Sequence, residues 1–99
     1  MIDFAAINRE ALRCLPALVA RWLPDGRRLG HEWTARNPTR TDRRPGSFRV
    51  NLSTGRWADF STGDRGGDPV ALLAYLTGDS QADAARALAK IIGIQDHGH

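Results

Sequence analysis

The sequence predicts an α+β domain: a small three-stranded antiparallel β-sheet, preceded by an N-terminal helix and followed by two C-terminal helices. Three observations predict it. Apolar residues near the start recur at helical spacing, at Ile7, Ala11, Cys14, Leu15, Leu18 and Trp22. In the middle, Phe48, Val50 and Leu52 alternate with Ser47, Arg49 and Asn51, the two-residue period of a half-buried strand. The last third holds two helix-capping signals, each leading into an apolar run that ends at a glycine.

Taken in order, Asp3 caps the first helix, Pro16 kinks or splits it, and Pro24-Asp25-Gly26 ends it. The segment Arg27 to Arg36 is strand-like around His31-Glu32-Trp33-Thr34-Ala35. Ser47 to Leu52 is the clearest strand, and Arg56 to Phe60 returns beside it. Ser53-Thr54-Gly55 makes the hairpin loop, with Gly55 free to take positive φ. Asp68 and Pro69 are the cap and first residue of a helix to Leu76, which Gly78 closes. Ser80, with Asp83 three residues on, caps a last helix that Gly93 ends, with Ala84, Leu88 and Ile91 as its buried stripe.

The 99 residues, 41% hydrophobic and 25% charged, suffice for one core. A single domain is expected over 1–94, with a helical part at 1–23, a β unit at 27–61, a helical pair at 69–93 and a flexible tail at 95–99. The single cysteine, Cys14, excludes an intrachain disulfide framework and a cysteine-based zinc site, and fits a reducing cytoplasm. No stretch of about 18 apolar residues is present, and acidic residues stand where a signal peptide has its basic region. A cytoplasmic, soluble monomer with no membrane contact is expected.

Charge is the functional signal. The whole chain carries +3, yet Arg27 to Arg65 holds nine arginines against Glu32, Asp42, Asp59 and Asp64, a surplus of five. The flanks are therefore slightly acidic, and the surplus on one β unit points to a polyanionic partner. An ordinary solvated basic face is the plainer alternative. The clustering of Arg36, Arg40, Arg43, Arg44, Arg49 and Arg56 favours phosphate contacts, and Trp33 is a candidate for stacking on an unpaired base, although a tryptophan in a small sheet is more often core.

Several short motifs agree in their offsets: Pro45-Gly46-Ser47-Phe48, Gly55-Arg56-Trp57, Asp59-Phe60, and Gly66-Gly67-Asp68 leading into Val70-Ala71-Leu72-Leu73. Together they make the run from Asn37 to Gly93 similar to the N-terminal zinc-ribbon domain of bacterial and phage DNA primases, in particular the version in primase-helicase proteins of mobile elements. That family carries a Cys-x2-His pair before the Ser-Phe strand and a Cys-x2-Cys knuckle before the Gly-Gly-Asp turn. The resemblance puts those ligands at about Asn37 and Arg40, and at Asp59 and Thr62. None is a thiolate or an imidazole, so the resemblance implies a zinc-ribbon-like unit without metal or other cofactor. Hydrogen bonds and packing must then join the two knuckles, and Phe48, Trp57 and Phe60 are expected to fill the core there.

What the resemblance implies is an accessory domain of a replication protein that touches single-stranded DNA template. The alternative is an interaction module that docks on a primase catalytic or helicase domain without touching DNA. Gly63 to Asp68 lacks the Gly-Lys-Ser/Thr ending of a phosphate loop and suits a tight turn feeding a capped helix. His97 and His99 flank Gly98 in the polar tail. Asp42, Asp59, Asp64 and Asp68 lie on turns beside arginines, which suits ion pairs and caps; no nucleophile with a base is visible, so no enzyme activity is expected.

Overall fold

The computed structural model describes residues 1–39 and 46–93. The order is α1 (Phe4–Arg13), α2 (Leu15–Trp22), β1 (Arg27–Leu29), β2 (Glu32–Ala35), β3 (Phe48–Asn51), β4 (Trp57–Asp59), β5 (Arg65–Gly66), α3 (Pro69–Thr77) and α4 (Gln81–Ile92). The α+β class holds. The sheet, however, has five strands rather than three, in the order β1-β2-β3-β4-β5 with every neighbouring pair antiparallel. The additions are the two edges: β1 folds back on β2 through Gly30 at φ 62°, and β5 pairs with β4 beyond residue 61. Neither edge strand carries an apolar alternation, because neither buries a face of its own.

Local chemistry accounts for the helix boundaries. The Asp3 carboxylate accepts from the Ala6 N–H and starts α1. Pro16 has no N–H to give the Leu12 carbonyl, so the chain breaks at Cys14 and resumes as α2 with proline in its first turn. Asp68 accepts from the Ala71 N–H, Ser80 accepts from the Asp83 N–H, and Gly78 and Gly93 end α3 and α4 in the left-handed conformation. A second donor at the start of α3, the Val70 N–H, is taken by the Asn8 side chain at 2.9 Å, which ties α1 to α3 across 62 residues.

The core lies between the helices and one face of the sheet. Ile7, Ala11, Leu15 and Val19 meet Val70, Leu72, Leu88 and the sheet residues Phe48, Val50 and Trp57. The stripe of α4 is Ala84, Ala85, Leu88 and Ala89; Ile91 is 42% exposed and does not join it. Three alanines on that stripe let α4 lie close to α3, whose own residues Val70, Leu72, Leu73 and Ala74 are all buried. Among the described residues no helix is long and apolar enough to cross a membrane. The expected flexible tail, with His97 and His99, lies outside the described residues.

Candidate nucleic-acid interface

Strand register sorts the side chains onto two faces. Ala35, Phe48, Val50, Trp57 and Asp59 point at the helices and are buried. The next residue along each strand therefore points away. Across the five strands the register aligns Arg27 with Thr34, Thr34 with Arg49, Arg49 with Ala58, and Ala58 with Arg65. Strands lie about 4.8 Å apart, so this row crosses roughly 19 Å and carries an arginine on every second strand. Thr34 is buried within the row, whereas its three arginines are exposed. Beside the row, Leu29 pairs with Glu32 and Glu32 with Asn51, while the Asn51 N–H donates to the Arg56 carbonyl at 2.7 Å.

Phe60 completes this open face. It is expected in the core and instead is 68% exposed. The reason is parity: with Trp57 and Asp59 inward, the next residue must face out. Its N–H still donates to the Ser47 carbonyl at 2.8 Å, so the β4 path continues one residue past its end. The Arg49 guanidinium carbon stands 5.1 Å from the ring centroid, within cation–π range. Arg49 is held in turn by its Nε–H to the Gly46 carbonyl at 3.1 Å and by Glu32 at 3.9 Å. The Arg56 and Arg65 side chains have no ion-pair partner among the described residues. Together Glu32, Arg49, Arg56, Ala58, Phe60 and Arg65 line an open groove.

The other candidates fall elsewhere. Arg36 follows β2 and lies 3.9 Å from the Asp25 carboxylate, with both side chains half exposed. Trp33 belongs to the helix side of the sheet, half-buried, with its indole N–H donating to the Leu23 carbonyl at 3.1 Å. Arg40, Arg43 and Arg44 lie outside the described residues, so the structure joins only Arg49 and Arg56 of the candidates on one face. Arg27, Arg65 and Phe60 are the additions. Continuing the two-residue alternation from Trp57 would have placed Phe60 outward; for Arg27 and Arg65 there was no signal, since their strands are recognisable only through their pairing.

Behind the sheet, a polar cluster joins the two segments that were expected to stand in for the metal-binding knuckles without their ligands. The Asn37 side-chain N–H groups donate to Asp59 Oδ2 and to the Tyr75 hydroxyl oxygen, each at 2.8 Å. Asn37 Oδ1 accepts from the Thr39 N–H and hydroxyl, Asp59 Oδ1 accepts from the Ser61 N–H, and the Tyr75 hydroxyl donates to Asp64 Oδ2 at 2.8 Å. Thr62 is exposed and its hydroxyl accepts from the Asp64 N–H. An amide, one buried carboxylate and a phenol do not fit a tetrahedral zinc, which takes thiolate and imidazole ligands. Among the described residues no group of three or more histidine, cysteine or acidic side chains is placed to hold a metal ion. The ring of Tyr75 also packs on the core aromatics, 4.7 Å from Trp57 and 6.0 Å from Phe48 between centroids.

No protein-family model matches the chain, and no curated protein matches it in sequence.

Proposed function

We propose that this chain is a non-catalytic nucleic-acid-binding domain that holds single-stranded DNA template for a replication protein of the primase or primase-helicase type. The observation that carries the binding part is the row Arg27, Arg49 and Arg65 on the helix-free face of the sheet. Cations spaced along one line suit a chain of phosphates better than a single small anion, and each phosphate neutralised releases counterions. The replication setting rests on the resemblance of residues 37–93 to primase zinc ribbons.

Salt tests it. Fluorescence anisotropy with a labelled single strand should give a dissociation constant roughly in the range 10⁻⁴ to 10⁻⁶ M near physiological salt, with log affinity falling by about 0.7 per phosphate contacted for each log unit of salt. The second reading, docking on a primase or helicase domain, draws support from exposed apolar side chains on the same face, Leu29 at 61% and Phe60 at 68%. No binding at low salt, or binding insensitive to salt, would favour it.

A further inference from the structure

We infer that Phe60 is a stacking platform for one unpaired nucleobase, with Arg49 fixing the ring and Arg56 and Arg65, which line the same groove, taking phosphates of the strand that runs on from it; this rests on the single-strand reading above. An exposed phenylalanine in a domain of this size forgoes burial that would stabilise the fold by roughly 1.5–3 kcal/mol. Phe48 shows the contrast: it is fully buried, one residue before Arg49, and paired with Asp59. The outward ring is also held in place. Its backbone is bonded to Ser47, and the cation beside it is itself held by Gly46 and Glu32.

The surroundings select the occupant. Ala58 lies between Arg49 and Arg65 in the row and presents only a methyl group, so the groove next to the ring is left open. Its walls carry Arg56 and Arg65, which have no ion-pair partner among the described residues. An exposed aromatic ring at one end of a groove whose walls carry two cations matches a strand of nucleotides, which presents a flat π-surface at each base and an anionic phosphate between bases. A base inside a duplex already has both faces stacked, so the geometry requires a single strand.

The test uses the whole chain and two probes of equal length: labelled oligothymidylate, and a backbone of abasic tetrahydrofuran units. Phe60→Ala should weaken oligothymidylate binding about fivefold to a hundredfold, while abasic binding and the salt slope stay as in the wild type. Phe60→Trp should bind oligothymidylate at least as well as the wild type, and Phe60→Leu, which keeps apolar bulk without a π-face, should resemble Phe60→Ala. Thermal melts within a few degrees of wild type show that each variant is folded. Wild type that binds both probes, with Phe60→Ala weakening neither or both equally, overturns the stacking role and leaves the single-strand reading standing. Wild type that binds neither probe at low salt overturns both.

Discussion

Asn37 and Asp59, 22 residues apart, meet inside the protein through a 2.8 Å hydrogen bond between side chains that are 1% and 0% exposed. Asn37 follows β2 and Asp59 ends β4, so the bond clasps the segments on either side of the central strand β3. Tyr75 extends the clasp to α3.

Removing the clasp should therefore cost far more than removing a surface hydrogen bond. A hydrogen bond to a buried carboxylate contributes about 1.5–3 kcal/mol, and leaving its partner groups unsatisfied adds to the loss. Asn37→Ala is expected to destabilise by about 3 kcal/mol and to lower Tm by on the order of 15 °C. A double-mutant cycle with Asp59→Ala should give a coupling of at least about 1.5 kcal/mol. Coupling near zero in urea titrations would mean that the two residues act independently and that the clasp is not a unit.

Phe48 and Phe60 should separate sharply. Phe48 packs 5.8 Å from Trp57 and is fully buried, so Phe48→Ala should cost about 3–5 kcal/mol, enough to unfold a marginal domain. Trp57→Ala should do the same. Phe60→Ala removes an exposed ring and should change stability by less than about 1 kcal/mol. Equal losses at positions 48 and 60 in chemical denaturation would contradict the outward orientation of Phe60.

That contrast marks what could be read from the residues alone. Caps at Asp3, Asp68 and Ser80, the break at Pro16 and the Gly55 turn depend on groups within three or four residues of each other, so they were legible. For Phe60, residue type argues for the core and parity argues for the open face; parity decides. β1 is Arg-Arg-Leu with every residue exposed, and β5 is two residues long, so each exists only through its ladder to a neighbour. The clasp is non-local as well: the residues around Asn37 do not name Asp59 as its partner, and only the expectation that hydrogen bonds join the two knuckles pointed to a link there. The same limit applies to Asn8, whose partner on α3 is 62 residues away.

Gly66 is required by its neighbour rather than by its backbone angle. A Cβ there would fall 2.5 Å from three atoms of the Trp57 indole, which is buried and packed against Phe48 and Tyr75. Gly66→Ala should thus destabilise by about 1–3 kcal/mol through overpacking and perturb the Trp57 environment. Gly67→Ala, where a Cβ meets nothing within 4 Å, is the matched control. Near-ultraviolet circular dichroism and a thermal melt report the change, and an unshifted Gly66→Ala melt would show that the indole can move.

The row of arginines makes a prediction about charge placement rather than total charge. Arg27→Gln and Arg65→Gln each remove one cation from opposite edges of the sheet, so each should reduce the magnitude of the salt slope by about 0.7, and the double variant by about twice that. Neither residue is buried, so the fold should persist. Arg13→Gln and Arg86→Gln are the controls, because those side chains lie on α1 and α4 beside Glu10 and Asp83. They change net charge equally but leave the row intact, and the slope should stay at its wild-type value. Arg43→Gln with Arg44→Gln asks whether the segment between β2 and β3 follows the same strand; a further loss of slope, additive with Arg65→Gln, would join it to the row. If the helix controls flatten the slope as much as the row variants do, binding is a diffuse response to net charge, and the open face of the sheet has no special part in it.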